Sequence, residues 1–191
     1  AKNISRGLES PATAGHLFTR NCGIDDVNAI FLSKMTTEAA EALAVNIVQG
    51  TVSNVFKTEC LKRAHDLETQ DTMVLSQSVT LKVDAPYVIT VNIDTLDGLV
   101  NGVTFYLRQI IYGPSQEELI RPHVLLAEFE DQRVGNIARQ FTNHGENLMP
   151  IYVQRRMIYQ WHGRGLSVVR IQFQVTPAAA ISAWKAQGGT Y

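Results

Sequence analysis

Val168–Tyr191, VVRIQFQVTPAAAISAWKAQGGTY, is the stretch whose reading decides the fold. Its first half is apolar, with Arg170 and Gln172 set two apart. That pattern predicts a buried strand whose polar side chains alternate outward. Pro177 ends the strand, and Ala178–Ala186 has the small, propagating composition of a short helix. Gln187-Gly188-Gly189-Thr190 then stops it with an amide, two glycines and a hydroxyl. Strand, close-packed helix and polar turn is how an α/β sheet presents chemistry at the carboxyl end of a strand. A helix that simply terminates at glycine accounts for the same letters.

Upstream of this tail, Ala1–Thr13 is polar and extended. Ala14–Arg20 predicts a short strand, and Ile24–Met35 a helix with Ile24, Val27, Ile30 and Phe31 on its inner face. Asp25 and Asp26 suit that helix's first turn, where the backbone dipole favours negative charge. Thr37–Val48 predicts a second helix, with Ala40, Leu43, Ala44 and Ile47 inward. Between Gly50 and Thr72 the pattern is faint: Glu59–Leu67 could form a helix, with His65 at the surface. From Met73 the period becomes two, giving strands at Met73–Val83 and Ala85–Ile93, then Val103–Tyr112, Pro122–Glu130, Pro150–Tyr159 and Leu166–Val175. Short strands at about ten-residue spacing suggest a small antiparallel barrel. Within Asp94–Gly102, Asp97-Gly98 and Asn101-Gly102 are strong turn signals, since both need positive φ, and they predict a tight hairpin connection.

Composition narrows the classes. The chain has 191 residues, 45% hydrophobic and 18% charged, which suits a folded domain with at most a small insert. No apolar run approaches the roughly 20 residues of a membrane span. No charged-then-apolar leader is seen, so an intracellular setting is expected, with Cys22 and Cys60 as reduced thiols. The net charge of −1 conceals an asymmetry: from Gln132 onward seven basic residues face one acid, giving +6 there and −7 before it. A basic half of this kind, mostly arginine, favours a polyanionic partner, although such runs are also ordinary solvated faces.

The tail also resembles the motif V region of PIF-type (petite-integration-frequency) DNA helicases and their Helitron transposon relatives. Arg170, Gln172, Phe173, Ala180, Ser182 (in place of threonine), Lys185, Gln187, Gly188 and Thr190 stand where that family's pattern has them. Departures are Gln174 for proline, Ala183 for isoleucine, Trp184 for histidine and Ala186 for serine. Asn92, Asp94 and the run Asp97 to Gly102 match a second block of the family, and Phe18, Thr19, Asn21, Asp25 or Asp26, Asn28 and Leu32 resemble its motif IV neighbourhood. Glu128–Asp131 with Val134-Gly135 resembles a third piece, in the family's accessory subdomain.

The resemblance implies an α/β fold: a partial RecA-like motor domain with an inserted small antiparallel SH3-like β-barrel. Residues 1–93 would be the first part of the second motor domain, 94–165 the insertion, and 166–191 the return to the motor. It implies the C-terminal part of an ATP-dependent helicase moving 5′ to 3′ on single-stranded or forked DNA, in DNA repair or recombination, with an intracellular, nuclear location. Ser182 and Thr190 would bond phosphates or brace the turn, Lys185 would contact a phosphate, and Trp184 could stack on a base where the family has histidine. Gln187 and Gly188 would lie at the nucleotide cleft between motor domains. Asn101 and Gly102 would shape the mouth of the accessory barrel, whose basic loops could hold or part a duplex. Structural roles also fit: Ser182 and Thr190 as caps, Lys185 and Gln187 as surface groups. No G-x-x-x-x-G-K-[ST] occurs, so ATP and Mg would serve only the full-length helicase together with an N-terminal motor domain, and this chain alone is expected to be inactive. The other reading is a non-catalytic module, left from a transposon helicase, that binds nucleic acid or protein.

Overall fold

The computed structural model describes residues 16–18, 24–67, 72, 75–114, 120–145, 147–161 and 165–182. In order they form β1 (His16–Phe18), α1 (Ile24–Lys34), β2 (Ala39–Leu43), β3 (Val45–Gln49), α2 (Asn54–Asp66), β4 (Ser78–Lys82) and β5 (Pro86–Ile89). There follow β6 (Thr104–Pro114), β7 (Ile120–Glu128), α3 (Asn136–Gln140), β8 (Leu148–Tyr152), β9 (Gln154–Trp161), β10 (Leu166–Gln172), β11 (Val175–Pro177) and β12 (Ala180–Ser182). Four sheets result: an antiparallel sheet in the order β11-β5-β6-β7-β8, another in the order β3-β10-β9, the pair β2-β4, and the parallel pair β1-β12. Among the described residues none of these sheets closes. The five-stranded sheet takes β6, β7 and β8 from within 94–165 and β5 and β11 from outside that range.

Two helices expected from composition are strands. Thr37–Val48 forms β2 and β3, which pair with β4 and β10 respectively. Alanine and glutamate favour helix, but the local preference is worth only tenths of a kcal/mol per residue and cross-strand partners outweigh it. Ala178–Ala186 differs likewise at its start: Ala178 N–H donates to Pro86 O at 2.9 Å, and Ala180–Ser182 runs parallel to β1. Its remainder lies outside the described residues. Helix α1 does form, with Asp25 and Asp26 in its first turn. Its buried side chains are Asn28 and Leu32 rather than the expected face, and Ile30 is 54% exposed. The Asn28 amide explains the rotation, because Nδ2 donates to Pro177 O at 2.9 Å. Helix α2 starts five residues before the expected Glu59, where the Ser53 hydroxyl accepts from Phe56 N–H.

The largest departure concerns Arg170 and Gln172, which point inward. Arg170 is 0% exposed, and its guanidinium donates to Asn46 Oδ1 (2.9 Å), Leu75 O (2.7 Å) and Ala64 O (2.8 Å). Ala64 lies in the last turn of α2, where unsatisfied carbonyls form the helix's negative end, so the buried cation meets opposite partial charge without a carboxylate. Burial pushes its pKa below the ordinary arginine value. Gln172 is equally buried: its Nε2 donates to Ala42 O at 2.8 Å and its Oε1 accepts from Phe173 N–H at 2.9 Å. Around this strand the apolar residues divide into two clusters. One is built on Tyr87, Phe105, Leu107, Leu125, Phe129 and Phe173, the other on Cys60, Ala64, Leu75, Ile158 and Val168. Cys60 is a buried free thiol, and His65 is exposed as expected.

Two tests follow from these buried polar groups. Replacing Arg170 with methionine orphans acceptors on three segments and should cost about 3 kcal/mol or more, seen as a lower urea midpoint; R170K should recover only part, since an ammonium lacks the planar fork. Tyr87 is fully buried, donates its hydroxyl to Thr80 O, accepts from Lys82 N–H, and burial lifts its pKa to about 12. The folded state therefore holds the phenol proton more tightly than the unfolded chain, whose value is about 10. The stability this contributes is complete below about pH 10 and disappears as pH rises toward 12. Comparing denaturation of the native chain and Y87F across that window should show the loss in the former alone.

Candidate nucleic-acid interface

The turn between β5 and β6 is built from its own polar side chains. Asp94 Oδ1 accepts from Leu96 N–H (2.9 Å) and Asp97 N–H (3.3 Å), while the Asp94 and Leu99 backbones bond each other in both directions. Asn92 Oδ1 accepts from Asn101 N–H at 2.9 Å, and Gly102 N–H donates to Ile89 O at 2.9 Å. Gly98 (φ +73°) and Gly102 (φ +97°) take the left-handed conformations that the sequence implied. The expected tight connection is therefore present, with Asn101 exposed at its end and Gly102 partly buried beside it.

Asp97 does more than turn the chain. Its side chain is 3% exposed, with Oδ1 accepting from Ile137 N–H (2.8 Å) and Oδ2 from Ala138 N–H (2.9 Å). Its backbone carbonyl accepts from Gly135 N–H at 2.8 Å. One aspartate thus caps a helix forty residues away, supplying negative charge where the first N–H groups have no partner. Gly135 is required on the other side: its φ is +71°, and an added Cβ would lie 2.6 Å from Met149 Sδ. Sequence reading missed α3 altogether, because it lacks a side-chain cap from its own segment. The glycine at 135 before an acid-free run was the available signal.

The charged groups around this unit are largely spoken for. Arg108 sits 2.5 Å from both Glu128 and Asp84, whose hydrogen bonds raise its pKa further, and it stacks over Tyr106. Arg133 holds Asp131 with a fork that drives that carboxyl to about 2. Arg139 gives one N–H to Gln132 O. On β9, Arg155 is exposed and Arg156 half-buried.

Of the residues expected to touch nucleic acid, Asn101 and Gly102 are brought together with Asp97 and α3. Ser182 is the last residue of β12, opposite Phe18. Trp184, Lys185, Gln187, Gly188 and Thr190 lie outside the described residues. The tail and the turn meet opposite ends of β5: Ala178 bonds Pro86 and Gly102 bonds Ile89, three residue steps or roughly 10 Å apart. Among the described residues no group of three His, Cys, Asp or Glu side chains could hold a metal, and no helix is long and apolar enough to cross a membrane. Substituting Asp97 with alanine should release α3, speeding hydrogen exchange at Ile137 and Ala138 and costing about 2 kcal/mol of stability, while D97N should retain part of the cap.

No family model matches the chain, and no curated protein matches it by sequence. Among solved structures it is similar to the Pif1 helicase from Candida albicans, at 19% identity and a TM-score of 0.59, over 97% of this chain and 40% of that one. It is also similar to Bacteroides Pif1 bound to ssDNA, at 17% identity and a TM-score of 0.56, over 97% of this chain and 34% of that one. A structure of two coordinating Pif1 helicases unwinding forked dsDNA matches at 18% identity and a TM-score of 0.52, over 95% and 32%. The chain spans at most 40% of the length of these three. At such identities the likeness is one of fold: the sheet-rich architecture described above is shared with part of the Pif1 helicases.

Proposed function

We propose that this chain is the strand-gripping part of a PIF-type DNA helicase, the C-terminal motor segment with an SH3-like accessory insertion at 94–165. The observation that carries the reading is the likeness over 97% of the chain to a Pif1 structure bound to ssDNA. The ordered match of Arg170-x-Gln172-Phe173 and Asp97–Gly102 with that family supports it independently.

In this reading single-stranded or forked DNA lies along the tail. Lys185 meets a phosphate as a point charge, Ser182 and Thr190 donate hydroxyl hydrogen bonds to neighbouring phosphates, and Trp184 stacks on a base. Gln187 and Gly188 lie toward the nucleotide cleft, and Asn101 and Gly102 at the mouth of the accessory unit. Translocation runs 5′ to 3′, at an intracellular, nuclear site. ATP and Mg belong to the whole helicase. These 191 residues contain no phosphate-cradling G-x-x-x-x-G-K-[ST], and the described residues gather no acidic cluster for a metal, so no step of hydrolysis is assigned to them.

A labelled oligonucleotide titrated with the chain across a salt series tests this. Binding should weaken steeply, with a log–log slope of about 0.7 for each phosphate neutralised, and K185A should flatten that slope by about one such increment. Absence of binding at low salt would overturn the reading, and DNA-stimulated ATP turnover by this chain would overturn the assignment of hydrolysis elsewhere.

A further inference from the structure

The three-stranded sheet carries charge of one sign. Its strands read VNIVQ (β3), LSVVRIQ (β10) and QRRMIYQW (β9), with three arginines and no acid. From Leu148 to Tyr191 the chain has no aspartate or glutamate at all. Within the sheet Arg156 stands directly opposite Arg170. Residues opposed across an antiparallel pair share a face, with Cβ atoms about 5 Å apart, and like charges there repel. Arg170 is fully buried and bonded only to neutral oxygens of Asn46, Leu75 and Ala64, so water screens its charge poorly and no carboxylate offsets it.

Arg155 and Arg156 are uncommitted. Among the described residues neither takes part in an ion pair or a side-chain hydrogen bond. Asp66, two residues past the Ala64 carbonyl that Arg170 holds, lies 3.8 Å from His65 and is 67% exposed. Arg63, on the same helix, is occupied: it is 3.6 Å from Glu59 and lies over the Trp161 ring. Strand β9 is the outer strand of its sheet. Arg155 faces Ile171 and Arg156 faces Arg170, so the two side chains leave by opposite faces and straddle the open edge. Their partners lie among the last three residues of β10, the end from which the chain runs on through β11 to the tail.

Repelled cations at an acid-free edge fit a polyanion, and guanidinium forks fit phosphate. We propose that the Arg155–Arg156 edge of β9 binds the phosphate backbone of a single DNA strand, as a contact additional to the tail. This rests on the reading that the chain binds single-stranded DNA. Arginine on an outer strand can also act only to keep other strands from pairing there, and that use is separable by experiment.

The full chain, R155Q/R156Q and R155K/R156K are titrated with an oligothymidylate of about 15 nucleotides across a salt series. At about 0.7 of log–log slope per phosphate, the glutamine pair should lower the slope by about 1.4 and bind about tenfold more weakly at low salt. The lysine pair keeps the charge and should keep the slope. Because R156Q removes a repulsion, its urea midpoint should equal or exceed the native one; a lower midpoint would make Arg156 a brace of the fold and overturn the proposal. Native slope and affinity in the glutamine pair overturn the phosphate edge while leaving the wider function standing, whereas no binding by the native chain at low salt removes both. A glutamine pair that keeps oligothymidylate but loses poly-glutamate would make an acidic protein segment the occupant. One that keeps DNA affinity but sediments as a dimer would show that the arginines only guard the edge. Either result refutes the proposal.

Discussion

A guanidinium with no carboxylate holds this molecule together. Arg170 reaches β3 through Asn46, the end of α2 through Ala64 and the following connection through Leu75, all from one buried position on β10. Removing such a charge from water is costly, and what offsets it is a set of carbonyl dipoles, one of them at the negative end of a thirteen-residue helix. Gln172 repeats the device two residues on by bonding β2. The next residue, Phe173, enters the larger core, and β11 then joins the five-stranded sheet. Strand β10 therefore sets the position of every element that leads into the tail.

That arrangement explains where the sequence could be read. Alternation located β10 but could not say which face was wet, because a polar residue two places from another satisfies the pattern whether it meets water or carbonyls. Here the carbonyls belong to residues 95, 106 and 130 positions away. The same blindness to distant partners turned Ala39–Leu43 and Ala180–Ser182 into expected helices. Asp97-Gly98 and Asn101-Gly102 were legible because a positive φ is a local demand that glycine meets at once. The cap that Asp97 places on α3 was not, since its recipients come forty residues later. Of the turn and the helix it caps, the first could be found in the letters and the second could not.

Net charge proves a poor guide to binding charge. The basic half of the chain carries +6, yet Arg170 is spent inside the fold and Arg133 on Asp131. In the acidic half Arg108 is spent on two carboxylates. Each of these arginines locks a local shape at the expense of any phosphate. Among the described residues of the basic half, Arg139 by α3 and Arg155 with Arg156 on β9 remain for a polyanion outside the tail. Any field that draws in a strand is correspondingly more localised than composition suggests.

Strand β5 relates the two ends of the proposed interface. Its four residues take the tail's Ala178 at Pro86 and the turn's Gly102 at Ile89, and both neighbours in the sheet are antiparallel partners. The sheet therefore connects the start of the tail to the turn, and Asp97 connects the turn to α3. The capping bonds tie α3 to the turn that leaves the sheet. Ala178, Gly102 and Asp97 are thus linked through β5 and through hydrogen bonds to α3.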